Sequence, residues 1–251
     1  MMAKWHLGFF AFFAPLLAQA VEVEKSWEKA VVFEPETAQR ASIGALSLDK
    51  RFPVLVFLHG CTGLYPDHPS DHFSWAELVA KEGFVVVMPD SFARPGRIPN
   101  CVPGKPGEAG RFRQADNYRQ DEIAFALSNL NSVSWADPKN LFLMGHSEGA
   151  IATATTRHPG FRGLIISGWT CTHSKNPRYD GIFSPKEVPA LAIAFKDDPF
   201  RKGRPQEGRC ANKADGRELT QVDLEGSSHG TYLDPNARTA VQKFLREKLQ
   251  Q

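Results

Sequence analysis

Leu141-Phe142-Leu143-Met144-Gly145-His146-Ser147-Glu148-Gly149-Ala150-Ile151-Ala152 is the stretch whose reading decides the fold. Its first four residues are apolar without alternation, which suits a strand covered on both faces. Its last three are small and continue as a helix that packs closely on its neighbours. Between them, Gly145-x-Ser147-x-Gly149 is the pattern of a sharp strand-to-helix turn. The glycines remove side chains that would collide in such a turn, and the serine is presented openly. A serine hydroxyl is a weak nucleophile until a base takes its proton. The N-terminus of the following helix favours the negative charge that then develops. Ser147 is therefore the candidate nucleophile.

Working outward, apolar strand-like runs alternate with helical patterns, which predicts βα units and a largely parallel sheet of the α/β class. Ala30–Phe33 and Ile43–Leu48 read as an opening hairpin, Pro53–Leu58 and Phe84–Met88 as buried strands. Ser74-Trp75-Ala76-Glu77 reads as a capping box that starts a helix ending near Gly83. A helix is expected near Asp121–Leu130, with Ile123, Leu127 and Leu130 on one face. Leu164–Ser167, Leu191–Phe195 and Leu219–Leu224 are further strands, and the closing helix carries Val241, Phe244, Leu245 and Leu249 on one stripe. Ser91–Asn117, Trp169–Glu187 and Pro199–Arg217 resist regular assignment. All three would follow the carboxyl ends of strands, where open α/β sheets bind ligands. None is large enough for a helical lid domain. Residues 21–251 read as one domain.

A base and an acid should lie downstream of the serine, in the order serine, acid, histidine. His229, in Ser227-Ser228-His229-Gly230, follows the last strand and is the candidate base; His173 precedes any fitting acid. Lys196-Asp197-Asp198-Pro199 supplies the acid, with Asp198 preferred at the Asp-Pro turn and Asp197 as the alternative. Such a carboxylate holds the imidazole tautomer and stabilises the imidazolium that forms. Two backbone N–H donors are needed for the oxyanion. Glu148 N–H is one, and Cys61 in His59-Gly60-Cys61-Thr62-Gly63 is the other, with Thr62 second.

The chain has 251 residues, of which 42% are hydrophobic and 23% charged, as in an ordinary globular domain. A formal net charge of +2 and the lack of a basic, aromatic-interleaved run argue against a nucleic-acid partner. Lys4, the apolar run Leu7–Ala18 and Ala18-Gln19-Ala20 read as a secretory signal cut after Ala20. The run is too short to span a bilayer, so secretion or a periplasmic location is expected, with no membrane association after cleavage. An oxidising compartment permits disulfides. Cys61, Cys101, Cys171 and Cys210 allow three pairings, and Cys61–Cys101 with Cys171–Cys210 is favoured because each pair ties down a long loop near the candidate site. Asp67-His68 and Asp71-His72 read as loop solvation and helix capping rather than a metal site. Arg94, Arg97, Lys105, Arg111 and Arg113 read as a solvated basic loop, with attraction of an anionic substrate as the alternative.

On these residues the chain resembles the exported branch of the dienelactone hydrolase family of α/β hydrolases. The resemblance rests on Leu58-His59-Gly60-Cys61-Thr62-Gly63-Leu64, Val87-Met88-Pro89-Asp90-Ser91-Phe92, the Gly145–Gly149 turn and Ser228-His229-Gly230. It implies the α/β-hydrolase fold, with an eight-stranded, mostly parallel sheet, helices on both faces and no large lid domain. It also implies hydrolysis of a small-molecule ester or lactone without metal or cofactor, and it supports the Cys61–Cys101 pair. The enzymes that name the family use a cysteine nucleophile where this chain has Ser147, so a general carboxylic ester hydrolase is the expectation. A peptidase or amidase using the same triad is an alternative. Glu148, an unusual charge beside the nucleophile, motivates another: a non-catalytic binding protein on a hydrolase scaffold.

Overall fold

The apolar run Phe52–Leu58 forms strand β3, and every side chain from Val54 to Leu58 is wholly buried. Val54, Val56 and Leu58 enter one core and Leu55 and Phe57 another, because successive strand side chains point to opposite faces. A run without alternation therefore means a sheet covered on both sides. The computed structural model describes residues 22–64, 72–99, 101 and 112–250. The signal assigned to residues 1–20 lies outside the described residues.

Eight strands form one sheet in the order β2-β1-β4-β3-β5-β6-β7-β8. They are β1 (Val31–Phe33), β2 (Arg40–Ser42), β3, β4 (Val85–Met88), β5 (Ala136–His146), β6 (Gly163–Ser167), β7 (Ala190–Phe195) and β8 (Leu219–Leu224). β1 runs antiparallel to β2 and β4, and every pair from β4 to β8 is parallel. After β3 the chain moves to β4 on one side, whereas after β5 it moves to β6 on the other. That reversal opens a crevice at the carboxyl ends of β3 and β5, the usual ligand position in such sheets. The register sets Leu58 level with Gly145 and His146 level with Ser167.

Helices cover both faces. Trp27 of α1 (residues 22–28), Ile123, Ala126, Leu127 and Leu130 of α3 (Phe112–Leu130) and Ala152 of α4 (Glu148–Thr155) pack on one side. On the other lie α2 (His72–Lys81) and α5 (Pro235–Lys248), the latter through Ala237, Val241, Phe244 and Leu245. Positions 237, 241, 244 and 245 form the apolar stripe of a surface helix. Among the described residues no helix is long and apolar enough to cross a membrane.

Three expectations are corrected. The hairpin partner of β1 is Arg40–Ser42, with Ile43–Ala45 a 3-10 turn, because the three residues of β1 pair one to one and end at Ser42. α2 already runs from His72, so Ser74 lies inside its first turn and is not its cap. α3 begins at Phe112 rather than Asp121; its extra turns are anchored by buried charge instead of an apolar stripe. Asp67, His68 and Asp71 lie outside the described residues.

Candidate active site

β5 ends in the Gly145–Gly149 turn, and the backbone there explains both glycines. A Cβ on Gly145 would stand 2.1 Å from the carbonyl oxygen of Gly149. A Cβ on Gly149 would stand 2.1 Å from the carbonyl oxygen of Leu58 in β3. The two glycines thus let β3, the turn and α4 meet backbone to backbone. Ser147 sits between them at φ 55°, ψ −110°, in the positive-φ region that non-glycine residues rarely adopt. Such strain persists only where the surroundings over-determine it. Here Ser147 N–H donates to Ser167 O at 2.9 Å, and Ser147 O accepts from Ile151 N–H at 3.1 Å.

Two loops at the same edge of the sheet carry the candidate acid and the candidate base. Beyond β7, the Asp198 carbonyl accepts Arg201 N–H at 2.9 Å and Lys202 N–H at 2.8 Å, which rolls the chain into a tight turn. Asp198 Oδ1 accepts Phe200 N–H at 2.8 Å, leaving Oδ2 for His229 Nδ1 at 2.6 Å. Asp198 is only 1% exposed. Asp197 turns outward to Lys202 at 3.2 Å, so the carboxylate brought to the histidine is that of Asp198. His173 stands apart, with its ring nitrogen Nε2 by Gln206 at 3.3 Å.

The Asp198 bond holds a proton on His229 Nδ1 and leaves the lone pair on Nε2. Nε2 is buried and makes no hydrogen bond among the described residues, Ser147 Oγ included. In unliganded hydrolases the serine-to-imidazole bond is often long and tightens when substrate arrives. The imidazole lies between His146, at 4.9 Å between ring centroids, and Phe200, at 4.5 Å. Gly168, at φ +68°, makes room for it: a Cβ there would stand 3.3 Å from His229 Cε1. Burial pushes the His229 imidazole below its ordinary value, the Asp198 bond opposes this, and the Arg201 charge adds to the lowering. Arg201 grips Gly168 O through Nε at 3.2 Å and Nη2 at 3.0 Å. Burial lowers its guanidinium to about 10, against the pull of Asp198. It is therefore still a cation at neutral pH.

The turn after β3 completes the crevice. Gly60 lies so near the Ser147 turn that a Cβ on it would be 3.6 Å from Ser147 Cβ. Cys61 follows, bonded to Cys101, and the turn is closed by Gly63 N–H on Gly60 O at 3.3 Å. The N–H groups of Cys61 and Glu148 donate to no acceptor among the described residues. The second disulfide, Cys171–Cys210, ties the segment after β6 to the loop after β7 beside Trp169 and Tyr179.

Sequence reasoning missed a buried ionic cluster behind the serine. Glu148 Oε1 accepts from Arg97 Nη2 and from Arg119 Nε, the latter at 3.2 Å. Arg119 Nη1 also donates to Glu122 Oε2 at 3.1 Å, and its Nη2 to His59 O at 2.8 Å. His59 Nε2 accepts Ser91 N–H at 3.2 Å, and its Nδ1 lies 2.7 Å from Gly60 O and 2.8 Å from Arg119 Nη2. Arg97 Nε bonds Ser91 Oγ at 3.2 Å. Desolvation lowers the Arg97 guanidinium, while Glu148 opposes the shift. The solvated basic loop is thus corrected: Arg94 and Arg97 are buried and paired, Arg94 with Asp121 at 3.2 Å. Arg113 is exposed at the start of α3, and Lys105 and Arg111 lie outside the described residues. A charge beside Ser147 in an otherwise uncharged helix was the available signal, since a buried carboxylate demands a cation.

No family model matches the chain, and no curated protein matches it. Solved structures do. A putative dienelactone hydrolase from Klebsiella pneumoniae superposes with a TM-score of 0.61 at 13% identity, over 88% of this chain and 99% of that one. Esterase PE8 gives 0.58 at 17% identity, over 87% and 97%. An acylaminoacyl peptidase from Pyrococcus horikoshii gives 0.54 at 18% identity, where 87% of this chain spans only 38% of the peptidase. Identities this low speak for architecture alone: the chain has the α/β-hydrolase fold.

Proposed function

We propose that the chain is an exported serine hydrolase that cleaves a carboxylic ester or lactone. The observation that carries this reading is the 2.6 Å Asp198–His229 bond at the same sheet edge as the strained Ser147 turn. His229 Nε2 takes the Ser147 proton as Oγ attacks the carbonyl carbon. The N–H groups of Cys61 and Glu148 stabilise the tetrahedral oxyanion. His229 then protonates the departing alcohol, and water, deprotonated by His229, releases the acyl group. This chemistry needs no metal or cofactor, and its partner is a small molecule. The N-terminal sequence and the two disulfides support export to an oxidising compartment.

The likeness to an acylaminoacyl peptidase keeps an amidase reading open. Rates on matched p-nitrophenyl esters and p-nitroanilides separate the two. The binding-protein reading loses its motive, because Arg97 and Arg119 neutralise the Glu148 charge. Initial rates on short-chain p-nitrophenyl esters and a simple lactone test the proposal, with Ser147→Ala beside the wild type. Turnover is expected to vanish in a variant that still folds. Esterase activity retained by Ser147→Ala would remove Ser147 from its role.

A further inference from the structure

The guanidinium of Arg119 is wholly buried and divides its donors among three segments of chain. Nη2 binds the His59 carbonyl at 2.8 Å, Nε the Glu148 carboxylate at 3.2 Å and Nη1 the Glu122 carboxylate at 3.1 Å. His59 precedes Cys61 by two residues in the turn after β3. Glu148 begins α4 after β5. These two turns, remote in sequence, carry the two N–H groups assigned to the oxyanion. One rigid side chain from α3 clasps both. Glu122, one turn along the same helix, fixes the guanidinium plane.

The charges of this cluster balance: Arg97 and Arg119 against Glu122 and Glu148. That balance matters because an unpaired Glu148 carboxylate would oppose the negative oxyanion forming beside its own N–H. A planar fork is what the geometry requires, and a lysine ammonium cannot reproduce it.

We propose that Arg119 is a positioning residue of the acyl-transfer site, setting the separation of the Cys61 and Glu148 N–H groups. The proposal rests on the serine-hydrolase reading above. It acts on the transition state, since the oxyanion is absent from bound substrate and only interactions gained on the way to it raise kcat.

The test compares the wild type with Arg119→Lys, Glu148→Gln and the double variant Arg119→Gln/Glu148→Gln, which removes one charge of each sign. For p-nitrophenyl acetate, kcat should fall about 100-fold in both Arg119 variants, the cost of a roughly 1 Å misplacement or a weakened oxyanion donor. KM should stay within about threefold, as expected when only transition-state stabilisation is lost. Affinity for phenylboronic acid, whose serine adduct is tetrahedral, should fall in parallel with kcat. Glu148→Gln keeps Arg119 in place and should lose about tenfold in kcat, a smaller loss of the same kind. It decides the matter if the Arg119 variants fail to fold. Folded variants with wild-type kcat, or a raised KM at unchanged kcat, overturn the proposal. So does boronate affinity that does not follow kcat. A wild type that neither turns over ester nor takes a fluorophosphonate label fails the serine-hydrolase reading itself. A wild type that does both, with variants equal to it, fails only the role of Arg119.

Discussion

Replacing Gly149 by alanine puts a methyl group where the backbone of β3 already stands. The added carbon would lie 2.1 Å from Leu58 O, 2.7 Å from Leu58 C and 2.9 Å from His59 O. None of these atoms belongs to a side chain, so none swings aside. Restoring an ordinary separation of about 3.5 Å requires α4 and β3 to part by roughly 1.4 Å. Overpacking of this kind costs about 1–3 kcal/mol. In a domain of this size, that lowers the melting temperature by roughly 2–12 °C. The same displacement separates Ser147 and the Glu148 N–H from Cys61, so kcat/KM should fall about 100-fold. Thermal melts followed by circular dichroism, with p-nitrophenyl acetate kinetics, read both effects. Gly44→Ala is the control: no atom lies within 4 Å of its new carbon and its φ is unremarkable, so it should melt and turn over like the wild type. Wild-type melting and turnover in Gly149→Ala would refute the account of a turn held by backbone-to-backbone contact.

Three other outcomes are expected. Asp198→Asn should lower kcat about 10⁴-fold by freeing the imidazole tautomer, whereas Asp197→Asn, at an exposed position, should leave it nearly unchanged; stopped-assay kinetics on both variants separate them. The acid limb of kcat/KM should have its midpoint below 6.5, because burial lowers the His229 imidazole and the neutral form is the base. Activity is then lost as pH falls through the lowered value; a midpoint above 6.5 contradicts this. Replacing Cys171 and Cys210 by serine opens a loop of 39 residues and should cost about 4 kcal/mol on the chain-entropy account, read by urea unfolding.

The parts of this molecule legible in its sequence are those specified locally. Val54–Leu58 was legible as a doubly covered strand, because a half-covered strand would expose alternate members of five successive apolar side chains. Gly145 and Gly149 were legible because their requirement is steric and sits within a few residues of Ser147. Asp198 and Asp197 were harder to separate, since the choice depends on which side chain the turn buries. The clasp on Glu148 escaped because its members lie far apart in the chain. Arg119 stands one turn before Ile123, and following the Ile123–Leu127–Leu130 stripe backwards puts it on the buried face of α3. Starting that helix at Asp121 left Arg119 outside it, with no face assigned. A buried ion pair needs both partners in view, and a linear pattern offers one at a time.

The central claim is that Ser147 is made nucleophilic by His229 and Asp198. Labelling of the purified protein with a fluorophosphonate, followed by intact mass and peptide mapping, tests it most directly. One adduct, on Ser147, is predicted for the wild type, with none for Ser147→Ala and only slow labelling for His229→Ala. A folded wild type that takes no label, or an adduct on a different serine, would contradict it.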